Sequence, residues 1–219
     1  MGLFSNKAKG CPICGGATPR LLAKKFEGQP ICSDCANNIM SDDERVKNWT
    51  LEDLREHLNV RAENKAVLES FMPTRTVEYE HEAVIDDTKR IFYISRWSVD
   101  NPPVFHFDDI LGFTIEMGYR TVESWSRGMM RVPFQPMELS ALGGIAALAE
   151  MFVDDDDKDS EYENLKVTLK VNTPYLQEYE LCDLSVGGRG RAEYAHDLSY
   201  EMCKVNTICD LIVSLTLGA

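Results

Sequence analysis

At 219 residues and 24.8 kDa the chain has room for a small metal-stapled module beside one domain of ordinary size, and its uneven composition favours that division. A formal net charge of −13 sets most of the surface against phosphate backbones and anionic lipid, so nucleic-acid and phosphoinositide binding by the bulk of the protein are disfavoured. No stretch reaches the roughly 20 apolar residues a membrane span needs.

Four of the seven cysteines crowd into the first forty residues. Cys11 and Cys14 stand in CPICGG, Cys32 and Cys35 in ICSDC, two C-x2-C pairs with seventeen residues between them. That spacing predicts a tetrahedral zinc site with four thiolate ligands. Each pair forms a knuckle, a tight turn whose N–H groups point at sulfur; Pro12 pre-sets the first and Gly15 and Gly16 supply its left-handed backbone. Four thiolates fill the coordination sphere and leave no position for water or substrate, so the zinc is expected to be structural. A redox role for one C-x2-C pair is outweighed by the presence of two matched pairs.

Between the knuckles, Pro19 to Phe26 and Gln29 to Cys32 read as short strands joined at Glu27-Gly28, and Ala36 to Met40 as one or two helical turns. Knuckle, hairpin, knuckle and short helix describe a zinc ribbon or treble clef. Its core of Ile13, Leu21, Leu22, Phe26, Ile31 and Ile39 is too small to fold alone, so metal binding should supply much of the folding free energy. Residues 1–40 carry Lys7, Lys9, Arg20, Lys24 and Lys25 against Glu27 and Asp34, a balance of +3, which leaves −16 for the rest of the chain.

A polar link over 41–48 leads to a helix that starts at Thr50, with Glu52 and Asp53 in its first turn, and stops before Pro73. Leu51, Leu54, Leu58 and Ala62 form one apolar stripe, whereas Val60, Val67 and Phe71 lie on the opposite side. Residues 41–75 therefore read as a linker whose helix connects two bodies.

From Thr76 onward the period becomes two. Strands are expected at Thr76 to Glu80, Arg90 to Trp97, Val104 to Phe107, Leu111 to Tyr119, Leu165 to Val171 and Tyr179 to Val186, with Asp86-Asp87, Asn101-Pro102-Pro103 and Asn172-Thr173-Pro174 as turns. Tyr194, Leu198, Met202, Val205, Ile208, Cys209, Ile212 and Leu215 then recur at helical spacing, Glu201 intruding. Antiparallel strands closed by one long helix predict, for residues 76–219, a pleckstrin-homology-like (PH-like) partly open barrel capped by that helix, and an α+β fold for the whole. Gly143 to Phe152 reads as a short helix and Asp154 to Asp157 as the start of a solvated acidic loop.

Other constellations fall short of chemistry. A calcium loop starting at Asp155 would need Gly at its sixth position and Glu at its twelfth, where the chain has Ser160 and Lys166. His57, His81, His106 and His196 are dispersed, with no nucleophile motif nearby, and no enzyme activity is expected. Gly187-Gly188-Arg189-Gly190-Arg191 has the strand-to-helix setting of an anion cradle but matches no phosphate fingerprint, and reads as a flexible turn. Cys182, Cys203 and Cys209 sit in apolar surroundings as buried thiols. An odd cysteine count, a thiolate site and the lack of a signal-peptide pattern predict a reducing cytoplasm; MGLFSN has Asn6 where a myristoylation signal wants Ser or Thr.

With the CPIC and CSDC pairs, the Thr50 helix, and the stretch from Arg61-Ala62-Glu63-Asn64 through Phe71-Met72-Pro73-Thr74-Arg75-Thr76 in view, the chain resembles a bacterial family. It is similar to the proteins, chiefly from Firmicutes, that carry domain of unknown function 4428, a zinc-ribbon-like module often followed by a PH-like or other small domain. The resemblance spans about residues 10–60 and implies zinc at Cys11, Cys14, Cys32 and Cys35, with no known activity. The expectation is thus a non-catalytic scaffold of three parts (1–40, 41–75 and 76–219) whose PH-like part recognises a protein or peptide. The alternatives are nucleic-acid association through the basic zinc module, and membrane-surface association through the barrel.

Overall fold

The computed structural model describes residues 10–40, 46–96, 99–134, 161–188 and 191–217. The chain divides into two compact units, Met1–Phe71 and Met72–Ala219.

In the first unit, Gly10 bridges Ala17, and the loop they enclose is tied by Cys11 N–H to the Gly16 carbonyl at 2.7 Å and Gly15 N–H to the Cys11 carbonyl at 2.8 Å. Gly15 has φ +75°, where a β-carbon would strain the knuckle. Strands β1 (Lys25–Phe26) and β2 (Gln29–Pro30) form a minimal hairpin. Its turn residues Glu27 and Gly28 have φ +48° and +76°, both positive as a type I′ turn requires. The ladder is shorter than the strands expected at Pro19 to Phe26 and Gln29 to Cys32. Leu22, at φ +58°, breaks the extended backbone of the first, and Pro30 brings no N–H to the second.

Helix α1 (Ser33–Asn37) follows the second knuckle and helix α2 (Leu51–Glu69) follows the link. Thr50 and Asp53 close a full capping box on α2, the threonine hydroxyl accepting from Asp53 N–H at 3.1 Å and the aspartate from Thr50 N–H at 2.7 Å. Leu51 and Leu54 are buried in one cluster with Phe26, Ile31, Val46, Cys11, Cys32 and Cys35, and Leu58, Trp49, Ile13 and Ile39 pack around it. The stripe read from the sequence ends there. Ala62 is exposed, and the buried face of α2 continues instead through His57, Arg61 and Asn64.

The second unit holds two four-stranded antiparallel sheets. One is a meander, β3 (Arg75–Glu78), β4 (Glu82–Asp86), β5 (Ile91–Ser95) and β6 (Val104–His106), hydrogen-bonded in that order. A 3-10 turn, Phe107–Asp109, leads into the other, made of β7 (Ile110–Met117), β8 (Arg120–Ser126), β9 (Glu161–Val171) and β10 (Glu178–Gly188) in the order β10-β9-β7-β8. At Gly112 an added β-carbon would stand 2.2 Å from the Trp125 carbonyl, so only glycine lets β7 and β8 meet there. Helix α3 (Arg191–Leu217) lies on β10 and β7 and buries Leu198, Met202, Val205, Ile208, Cys209, Leu211, Ile212 and Leu215. Cys203 departs from its expected burial, since it faces solvent on the opposite side of α3.

The expected barrel is corrected here, because no strand pairing joins the two sheets among the described residues. At the outer edge of β10, side chains meet the backbone in place of a strand. Around a bulge at Leu181, the Tyr79 hydroxyl donates to the Leu181 carbonyl at 3.1 Å, and the Arg96 guanidinium donates to the carbonyls of Glu180 and Leu181. Side chains from the residues that follow β3 and β5 thus bond the backbone of β10, in a mixed helix-and-sheet architecture without closure. The helix expected at Gly143 to Phe152 and the acidic loop at Asp154 lie outside the described residues, as do Trp97 and Arg189.

Candidate metal centre

The four cysteines named by their spacing converge on one point, all four sulfurs lying within 4.8 Å of one another. Cys14 Sγ is 3.4 Å from Cys32 Sγ and 3.6 Å from Cys35 Sγ, and Cys11 Sγ is 3.9 Å from Cys35 Sγ. A tetrahedral zinc ion with Zn–S of about 2.3 Å would hold its sulfurs about 3.8 Å apart, so the cage has the size the ion requires. Among the described residues this is the one cluster that could hold a metal.

Local chain geometry places each sulfur. The first knuckle carries Cys11 and Cys14 on the loop closed by Gly10 and Ala17, and the second ends in α1, whose N-cap is Cys32, its sulfur accepting from Cys35 N–H at 3.4 Å. Gly16 matters by its size: a β-carbon there would lie 3.3 Å from Cys14 Sγ and 3.8 Å from Cys32 Sγ, inside the ligand cage. Cys11, Cys32 and Cys35 are buried, whereas Cys14 is open to solvent.

Electrostatics set the four thiols against one another. Burial pushes the Cys11 thiol up, but N–H groups of Cys14, Cys32 and Ile13 outweigh it and bring the group down to about 6. Burial and the neighbouring sulfurs drive Cys35 the other way, well above its ordinary value. At Cys32 the Cys35 N–H favours the thiolate, yet burial and the sulfurs of Cys14 and Cys11 raise it on balance. One sulfur ionises readily and its neighbours then resist; a divalent cation among them would relieve that repulsion and favour all four thiolates, at a net charge of −2 for the site.

The remaining candidates do not assemble. His57 is buried in α2, its Nε2 accepting from Met40 N–H at 3.0 Å and its ring 4.9 Å from that of Trp49, so it acts as a structural link within the module. Its place three residues after Leu54 on the buried stripe is the signal that could have marked it. His81 stands 3.8 Å from Glu80, and His106 and His196 are exposed. The glycine-rich turn has its Gly187 N–H committed to Asp197 Oδ2 at 2.9 Å, so a carboxylate already holds a donor that an anion would use. No helix among the described residues is long and apolar enough to cross a membrane.

The family model described as a domain of unknown function (DUF4428) matches residues 9–57. The matched span takes in all four cysteines, the hairpin, α1 and the first turns of α2. No curated protein and no solved structure matches the chain.

Proposed function

We propose that this protein is a non-catalytic, cytoplasmic adaptor built on a structural zinc module, with a PH-like second unit that recognises a protein or peptide. The carrying observation is the convergence of Cys11, Cys14, Cys32 and Cys35 at zinc-cage distances, a donor set that saturates the ion and leaves it no open coordination position. Zinc here holds the fold together. Two antiparallel sheets followed by one long helix support the PH-like reading of the second unit, without a closed barrel. Its charge points to protein rather than phosphate, since residues 76–219 carry twelve basic side chains against twenty-six acidic ones.

Native mass spectrometry of the full chain tests the metal assignment. One zinc per chain is expected, and Cys14→Ser or Cys32→Ser should abolish it and unfold the module, whereas Cys203→Ser leaves both unchanged. An iron–sulfur absorbance, or a folded metal-free module, would refute the assignment. The recognition role is tested by cross-linking in cell extract, expected to give protein adducts on the second unit that a zinc-site variant retains.

A further inference from the structure

We propose that the tip of the metal module, Arg20 to Lys25, docks on anionic bilayer surfaces, Leu21 and Leu22 entering the headgroup boundary while Arg20, Lys24 and Lys25 meet lipid phosphates. Leu21 is 83% exposed and Leu22 103%, so neither contributes to the core that the sequence assigned them to. Leu22 also has φ +58°, a left-handed conformation that a leucine adopts at a cost and that glycine would take freely. Two adjacent large aliphatic side chains are therefore held out into solvent by a strained backbone. The tip stands on a firm base: Phe26 is 3% exposed, Thr18 is 8% exposed, and Ile31 N–H bonds the Lys24 carbonyl at 3.0 Å.

The surroundings of the two leucines select among partners. Arg20, Lys24 and Lys25 are all exposed, and they flank the leucines within the same six residues. A protein interface needs about 800 Å² from each side, far more than two protruding side chains present. Single-stranded nucleic acid is gripped by aromatic platforms, and this tip has none. A bilayer boundary takes up isolated aliphatic side chains while cations beside them rest at phosphate level, and each such cation adds to the affinity for anionic lipid. The excess of carboxylates over residues 76–219 sets that part of the chain against an anionic surface.

The experiment uses full-length, zinc-loaded protein and vesicles of phosphatidylcholine alone or with phosphatidylserine. Co-sedimentation is expected only with phosphatidylserine present and should weaken as salt rises. L21S/L22S should lower the partition coefficient by at least about tenfold, the factor that burial of a single leucine carries, and K24E/K25E should also weaken it. Because neither leucine is buried, L21S/L22S should keep its zinc and its circular dichroism, which separates lost docking from lost folding. Leu22→Gly provides a second reading: it relieves the backbone, so the module should melt higher while vesicle binding falls. Absence of wild-type binding, binding indifferent to L21S/L22S, or displacement of vesicles by single-stranded DNA that the L21S/L22S protein binds equally well would overturn the proposal. Each of these would leave the zinc assignment standing.

Discussion

Asp86 is 1% exposed, and a carboxylate that deep must find donors. It accepts from Met72 N–H at 3.2 Å and Lys89 N–H at 3.0 Å, tying the first residue of the second unit to the β4–β5 turn. Asp86→Ala strands both donors, and the second unit should lose about 1–3 kcal/mol, read as a lowered denaturant midpoint with unchanged slope. His57 makes the complementary case. Burial, helped by the nearby Arg61 charge, holds its folded-state value down at about 4. Between there and the ordinary histidine value near 6.5 the unfolded chain binds a proton that the folded one refuses, so stability falls as pH drops through that window. About 2–3 kcal/mol should be lost by its lower end, and His57→Gln should flatten the slope. The comparison is made by thermal melts in buffers in which native mass spectrometry still finds the metal bound.

Helix α2 was legible from its start because the Thr50–Asp53 box is chemistry written in adjacent residues. Its burial pattern was not, since His57, Arg61 and Asn64 extend the buried face with polar side chains that a hydrophobic period passes over. Strands β4 and β8 were missed for opposite reasons. Ala83 to Asp86 are buried in succession, so β4 shows no alternation, whereas β8 is an edge strand in which only Trp125 is buried. The four-cysteine cluster was legible because its members sit in two short turns, and the unclosed sheets were not, because side-chain contacts such as those of Tyr79 and Arg96 on β10 leave no periodic mark in the sequence. Two substitutions test how elements are fastened. Leu54→Ala removes a fully buried side chain from beside the cysteines and should cost the metal module about 2–5 kcal/mol, read as weaker zinc retention against a chelator. Arg131, its side chain 4% exposed, holds Glu123 at 2.8 Å, Asn206 at 2.7 Å and Asp210, and stands over the Phe113 ring. Arg131→Ala leaves the buried Glu123 without its countercharge and holding only the Phe134 N–H at 2.9 Å, so a loss of about 3–5 kcal/mol is expected in the second unit, and lysine should rescue little of it because its single ammonium lacks the planar fork.

For the molecule as a whole, the two units differ in what they rest on. The metal module has a core of a few side chains around four sulfurs, whereas the second unit buries aromatic and aliphatic residues from seven of its described strands and a helix. Chelation should therefore release amide protection across Cys11–Leu58 while leaving the sheets protected, a pattern that hydrogen exchange with mass spectrometry resolves. The same contrast governs the order of events when the chain folds. Every ligand lies between Cys11 and Cys35, and the hairpin that positions them turns on two residues, so the cage requires only short loops to close. The second sheet must instead bring Thr114 against Thr168 and Ile115 against Val167 across a long intervening segment, and pairings of that span are slow to nucleate. On dilution from denaturant in the presence of zinc, Trp49, packed on the module, should report a fast phase whose rate depends on the metal. Trp125, paired with Phe113 in the second sheet, should follow later at a rate indifferent to it.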